Sequence, residues 1–213
     1  MVVSGKPKTS LGLENYPASE KEVADIAAEV WQKLDGTNVT EVSYGKGTLY
    51  WTTTPLEVLK KMGVEPDVIV EAEGETEEQS SYRAKLPLTY IHRYTPEADF
   101  FFVASSSEKP ASGLLSFRIR GKQPEFWYPD SGRIEECAVY EEEDGRTIIP
   151  MIFDPAGAYF VVFREKAKTA PVTRVSLDGT VALSTAKRIS PLADAKHFFK
   201  TGGTLKLETA DGR

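Results

Sequence analysis

The sequence predicts an α+β protein in which a partial α/β segment precedes an antiparallel β-sandwich. Near the start, apolar residues recur at the spacing of a helix face over residues 19–34. From Leu88 to Arg164 that spacing is lost, and short apolar or alternating runs are separated by turn sequences, as in β-sandwiches. The predicted structure therefore changes along the chain from helix-containing to strand-rich.

The first predicted helix covers residues 19–34. Ser19 and Glu22 have the spacing of a capping box at its start, and Gly36 follows as a stop signal. Its apolar positions form one stripe, which predicts one buried face.

Two short strands and a second helix are predicted next. The strands are residues 39–44 and 48–51, around a glycine turn. Thr54 and Pro55 then begin a helix as N-cap and first helical residue, and Gly63 ends it. The order helix–strand–strand–helix is typical of an α/β layer.

Further strands are predicted at residues 88–94, 99–104, 113–120, 124–128, 147–153 and 158–164. Phe100–Val103 and Tyr159–Phe163 are apolar at consecutive positions, so these two strands are expected to be central and covered on both faces. Phe102 is accordingly predicted to be a core residue.

The expected domain organisation has four parts. These are an α/β segment (1–72), an acidic linker (73–86), a β-sandwich (87–166) and the β-rich start of a following domain (167–213). In the last part, Asp178-Gly179 predicts a hairpin turn between strands at 172–176 and 181–184, followed by a short helix at 192–199 and a strand at 204–209.

Composition excludes several classes of partner. A net charge of −6 and a pI near 5.2 argue against nucleic acid and against an anionic membrane surface. No apolar run approaches the roughly 20 residues of a spanning helix. With two histidines and one cysteine at no zinc-ligand spacing, neither a metal nor a cofactor is predicted.

No catalytic residue is predicted. Glycoside hydrolysis needs two carboxyls about 5–10 Å apart in a cleft. The acidic runs of this chain have the pattern of solvated loops. Glu125, beside Phe126 and Trp127, is the best isolated carboxylate, but it is expected to be a strand residue facing solvent.

Five residues are candidates for contact with carbohydrate: Tyr90, His92, Arg93, Trp127 and Tyr128. On one strand, Tyr90 and His92 would share a face and Arg93 would lie on the other. An aromatic–histidine face can stack on a sugar ring. The favoured alternative is a face between two sheets, with His92 hydrogen-bonded to a backbone carbonyl. Trp127 and Tyr128 are the leading pair for an exposed aromatic platform.

Three segments carry a resemblance to a known family. They are YIHRYTPEADFFFVAS, LLSFRIRGKQPEFWYPDSGRIE and EEEDGRTIIPMIFDPAGAYFVVFRE. They resemble one region of bacterial α-L-rhamnosidase-type enzymes of glycoside hydrolase family 106, which implies a β-sandwich that follows the catalytic (β/α) barrel. The earlier LENYPASEKEVADIAAEVW is similar to the end of the amidotransferase-like α/β domain before that sandwich.

The resemblance covers residues 11–164 and implies a supporting role. The family's acid and base belong to the barrel, and no eight-fold βα repeat occurs in this chain. The resemblance therefore implies a fragment that serves as a non-catalytic accessory segment. Its partner is the parent enzyme's barrel, a rhamnose-containing oligosaccharide is a second candidate, and the parent is expected to be periplasmic or secreted.

Two other functions remain open. A free-standing carbohydrate-binding module would show an exposed aromatic platform, whereas a structural or interaction domain would show large exposed apolar patches.

Overall fold

The structure is a computed structural model that describes residues 1–71, 87–186 and 203–212. The chain divides into two compact units, residues 1–65 and 66–213. The predicted linker (73–86) and the predicted helix at 192–199 lie outside the described residues.

The first unit contains two helices and a small sheet. Its elements are β1 (Val2–Val3), α1 (Ala18–Trp31), β2 (Glu41–Tyr44), β3 (Gly47–Trp51) and α2 (Pro55–Lys61). The sheet order is β1-β3-β2, in which β1 runs parallel and β2 antiparallel to β3. Its core joins α1 to the sheet through Ala27, Trp31, Leu34 and Leu49.

The local sequence correctly predicted the start of α2 but not the start of α1. Thr54 caps α2 as predicted, because its side chain accepts the Glu57 backbone N–H while its own N–H donates to the Glu57 carboxylate at 2.7 Å. The predicted cap at Ser19 is wrong: α1 begins at Ala18, Pro17 occupies the N-cap position, and no side chain caps it.

The second unit is built from strands. They are β4 (Val68–Glu71), β5 (Leu88–Tyr94), β6 (Asp99–Ser105), β7 (Ala111–Phe117), β8 (Lys122–Trp127), β9 (Ile134–Glu136), β10 (Glu141–Glu143), β11 (Arg146–Phe153), β12 (Ala158–Lys166), β13 (Val172–Leu177), β14 (Thr180–Ser184) and β15 (Leu205–Thr209). They form three sheets with the orders β10-β11-β7-β4, β5-β6-β12-β8-β9 and β14-β13-β15. Every strand pair in these sheets is antiparallel.

The main core lies between the four-stranded and the five-stranded sheets. Phe101 and Phe163 of the five-stranded sheet meet Phe117 of the four-stranded sheet, with ring centroids 5.1 Å apart for Phe101–Phe117 and 5.7 Å for Phe117–Phe163. All three side chains are fully buried. The two sheets thus make the predicted sandwich-like arrangement.

All six predicted strands between residues 88 and 164 are confirmed, as are the hairpin after residue 172 and the strand near 204–209. The sequence did not predict β4, β9 or β10. β4 pairs with β7, so the four-stranded sheet includes residues that were expected to belong to the N-terminal segment. This pairing joins residues 43–49 positions apart, a distance over which local patterns carry no signal.

The cover expected on both faces of β6 and β12 is only partial in the described residues: Val162 of β12, on the side opposite Val161, is fully buried, whereas Phe102 and Phe160 are half-buried. Phe101 is fully buried, but its neighbour Phe102 is only half-buried and faces the other way. An apolar run is compatible with either state, because the pattern does not report what lies outside the sheet.

Candidate functional site

The face of the five-stranded sheet opposite Phe101 is here called the outer face. Cross-strand pairing aligns one residue from each strand on this face. The resulting apolar row is Ile91, Phe102, Phe160, Trp127 and Ile134. It crosses the whole sheet.

A shallow, open depression of about 290 Å³ lies at the β5 end of this row. It is lined by Ile91, Arg93, Phe100, Phe102 and Phe160. The Phe102 and Phe160 rings are 4.9 Å apart, and Ile91 is 57% exposed. Arg93 is the one charged side chain in the lining. Sugar sites combine a concave shape with several convergent polar groups, so this lining is better suited to apolar side chains of a protein surface.

A buried carboxylate lies in the next row of the outer face. Glu125 is 5% exposed and accepts hydrogen bonds from Arg164 Nε at 2.9 and 3.2 Å and from Trp127 Nε1 at 2.8 Å. Burial alone would raise the pKa of Glu125, but these hydrogen bonds and the Arg164 charge outweigh it and lower that pKa. Glu125 therefore stays ionised, which does not suit a general acid. The expectation that it faces solvent is wrong.

Trp127 and Tyr128 lie on different sides of the sheet. Trp127 packs edge-on against Phe100 of the outer face, with ring centroids 5.9 Å apart. Tyr128 instead packs against Tyr159 of the core at 5.3 Å and donates its hydroxyl to Glu135 at 2.9 Å. The two rings do not form one platform, and a sugar contact by either stays a prediction.

The histidine of β5 occupies a polar site between strands. His92 Nδ1 lies 3.1 Å from Asp67 Oδ2, and Nε2 lies 3.2 Å from Asp99 Oδ1. Its ring stacks on Phe101 with centroids 4.0 Å apart and planes at 9°. The partners of His92 are thus two carboxylates, and the predicted backbone carbonyl is wrong.

Two cations complete this group, which we call the ionic cluster: Asp67, His92, Asp99, Arg118 and Lys122. Arg118 pairs with Asp67 Oδ1, and Lys122 Nζ lies 3.0 Å from Asp99 Oδ2. Burial alone would raise the pKa of Asp67, but the bonds from Arg118 and His92 outweigh it and lower that pKa. Among the residues that the structure describes, no group of His, Cys, Asp or Glu has a metal-binding arrangement.

The structure therefore separates the five predicted contact residues. Arg93 and Trp127 lie on the outer face, whereas Tyr90 and His92 share the opposite face of β5. Sequence reasoning missed Phe160 and Arg164 as parts of the outer face. Their alternation along β12 was visible, but nothing in it showed which face would be open.

Within the described part of the chain, no helix combines the length and the apolar character needed to cross a bilayer.

Comparison with known proteins places the chain in a family of large enzymes. The family model for alpha-L-rhamnosidases, glycoside hydrolase family 106, matches residues 1–142. A Formosa agariphila protein whose name describes a beta-glucuronidase is 29% identical over 168 residues, which are 78% of this chain and 12% of that protein.

The solved structure of a rhamnosidase from Novosphingobium sp. PP1Y has a similar fold. It superposes with a TM-score of 0.56 at 24% identity, over 76% of this chain and 16% of that one. The chain thus spans a small part of the length of both proteins. Because the family match covers well over half of the 213 residues, this chain belongs to the α-L-rhamnosidase family, glycoside hydrolase family 106.

Proposed function

We propose that this chain is a non-catalytic accessory segment of an α-L-rhamnosidase-type glycoside hydrolase, and that its strand-rich unit supports the catalytic barrel of such an enzyme. The observation that carries the proposal is the outer face, where an apolar row crosses five strands and remains partly open.

Open apolar surface of this kind marks a site of protein contact. The occupant proposed for it is another part of the same enzyme. The family relatives supply such a part, since they extend far beyond the region they share with this chain. Arg93 at the rim of the depression would donate hydrogen bonds to a carboxylate of that partner.

The carboxylates of the described residues support a non-catalytic role. A glycosidase acid needs a raised pKa so that it holds a proton at neutral pH. Glu125 and Asp67, the carboxylates of the two polar groups described above, have lowered pKa values because cations and hydrogen-bond donors surround them. Both serve as acceptors for neighbouring strands.

An activity assay tests the absence of catalysis. The purified chain is incubated with an aryl α-L-rhamnoside, and release of the aryl group is followed over hours. We expect no release above the buffer rate. Turnover that co-purifies with the folded chain through two chromatographic steps would contradict the proposal.

A carbohydrate-binding module is the second candidate, favoured by the half-buried Trp127 on the same face as Arg93. Calorimetric titration with rhamnose and rhamnose-containing oligosaccharides distinguishes the two functions. The accessory role predicts no saturable heat. Binding that Trp127→Ala abolishes, and that Tyr94→Ala on the opposite face retains, would favour the module.

We also infer that residues 1–72 correspond to the end of an amidotransferase-like α/β domain. The parallel pairing of β1 with β3 and the packing of α1 on that sheet support this inference. A periplasmic or secreted location of the parent enzyme remains an expectation that rests on the family resemblance.

A further inference from the structure

His92 lies between two acceptors. Its two ring nitrogens face carboxylate oxygens on opposite sides, Asp67 Oδ2 at 3.1 Å and Asp99 Oδ1 at 3.2 Å. A neutral imidazole has one N–H and one lone pair, whereas an ionised carboxylate only accepts hydrogen bonds. In either neutral tautomer, one ring nitrogen would therefore point its lone pair at a carboxylate oxygen.

Each of the two carboxylates uses one oxygen for His92 and the other for a flanking cation. Asp67 uses Oδ1 for Arg118 and Oδ2 for His92, and Asp99 uses Oδ2 for Lys122 and Oδ1 for His92. Each acid thus keeps one oxygen free to accept from the imidazole. The lowered pKa of Asp67 has the same cause, since hydrogen bonds and positive charge stabilise its ionised form.

We propose that His92 carries a proton on both ring nitrogens at neutral pH, and that this imidazolium clamps the edge strand β5 both to β6 of its own sheet and to the four-stranded sheet. Asp67 immediately precedes β4 of the four-stranded sheet, and Asp99 begins β6 of the five-stranded sheet. One protonated ring on β5 therefore contacts the neighbouring strand β6 and the opposite, four-stranded sheet. Loss of either proton breaks one of the two hydrogen bonds.

The charged and titratable groups around the ring come from five places. They are Asp67 before β4, Tyr94 on β5 with its ring 6.3 Å away, Asp99 on β6, Arg118 after β7 and Lys122 on β8. The positive charges of Arg118 and Lys122 disfavour a third positive charge, on His92. The two carboxylates favour it and are in direct hydrogen-bond contact with the ring, whereas Arg118 and Lys122 act on it across the carboxylates.

The strand that His92 holds also contributes to the outer face. β5 also carries Ile91 and Arg93, which line the depression. Because the same strand carries His92 and these two residues, the contacts of the imidazolium would help to hold that rim in place. This consequence rests on the proposed function; the clamp itself does not.

Nuclear magnetic resonance of the ¹⁵N-labelled chain tests the protonation state directly. The His197→Gln variant retains only His92, so its imidazole signals are assigned without ambiguity. At pH 7 we expect both ring nitrogens of His92 to show the shifts of protonated nitrogen. The pattern of a neutral tautomer at that pH would overturn the proposal.

Asp99→Asn is a second test. Its readout, the titration of His92, would not change if Asp99 had a purely structural role. Its amide can either donate to or accept from the ring, so it removes the requirement for a second proton. We expect the imidazole of this variant to lose that proton at lower pH than in the unmodified chain. An unchanged titration curve would contradict the clamp.

Stability supplies an independent readout. The imidazolium stabilises the folded chain at low pH, and this contribution is lost as the pH rises and the ring loses its proton. We expect the ratio of folding constants, unmodified chain over His92→Gln, to be larger near pH 6 than near pH 9. An equal ratio at both values would overturn the proposal. If His92→Gln does not fold, the resonance experiment still decides.

Discussion

Arg164 holds Glu125 through a single nitrogen, since Nε lies 2.9 Å from Oε1 and 3.2 Å from Oε2 of the carboxylate. The guanidinium also lies 5.5 Å from the centre of the Trp127 ring, whose Nε1 donates to the same carboxylate. Three side chains from β8 and β12 thus share one ionic and aromatic contact on the outer face. The residues are 39 positions apart at the widest, so tertiary structure alone brings them together.

Removal of the Glu125 charge is expected to destabilise the strand-rich unit. Glu125→Gln retains the shape and an acceptor for Trp127 but loses the charged bond to Arg164. The loss is limited because the Arg164 side chain is 44% exposed and can turn to water when its partner is removed. We therefore expect the free energy of unfolding to fall by about 1–3 kcal/mol. Urea titration measures it.

Glu165→Gln is the matched control for this experiment. Glu165 is the residue next to Arg164 and pairs with Lys168 on the surface, where both side chains are mostly exposed. Exposed pairs contribute little, so its loss should be below about 0.5 kcal/mol. Equal effects of the two substitutions would show that the burial of Glu125 has no energetic consequence.

The same pair predicts a pH dependence. The pKa of Glu125 is lowered in the folded chain from an ordinary value of 4.5, so its contribution is complete above that value and is lost as the pH falls through the folded-state pKa. The difference in stability between the unmodified chain and Glu125→Gln should therefore shrink in acid. A difference that stays constant from neutral pH to about pH 3 would contradict the assignment.

Adjacent phenylalanines on β6 should respond differently to truncation. Phe101 is completely buried between the sheets, so Phe101→Ala should cost about 3–5 kcal/mol. Phe102 is half-buried on the outer face, and Phe102→Ala should cost only about 1–2 kcal/mol. Denaturant titration of both variants checks this order. A larger loss for Phe102 would mean that the outer face is covered in the isolated chain.

Replacement of one glycine of the first unit is predicted to destabilise the fold. Gly36 has a φ of +73°, and an added Cβ would lie 2.7 Å from the Trp51 ring. Gly36→Ala should therefore cost about 2–4 kcal/mol, from left-handed strain and from the displaced indole. Gly45 also has a positive φ, +56°, but faces open space, so Gly45→Ala should cost only about 1–2 kcal/mol. Thermal unfolding of the two variants separates the steric from the conformational cost.

Local sequence predicted those elements whose stabilising groups are close along the chain. The α2 start depends on Thr54, Pro55 and Glu57, all within one turn, and was predicted correctly. The hairpin at Asp178-Gly179 depends on two residues with positive φ and was also predicted correctly. The same kind of signal failed at Ser19, where the chain entering α1 places Pro17 at the N-cap position.

The candidate site was much less predictable. The sequence identified His92 as a polar residue of a strand facing another sheet, but its partners lie 25 and 7 positions away and are carboxylates. It also identified Trp127, yet paired it with Tyr128, which the alternation of β8 directs away from the outer face.

By itself, the sequence determined the family and the order of most strands, because these follow from ordered motifs and short-range periodicity. The tertiary structure decided which face of the five-stranded sheet stays open, which cations neutralise Glu125 and Asp67, and where β4 pairs. Those outcomes depend on contacts between residues far apart in the chain, and the free energies that select them arise only when distant strands pair and the sheets pack together.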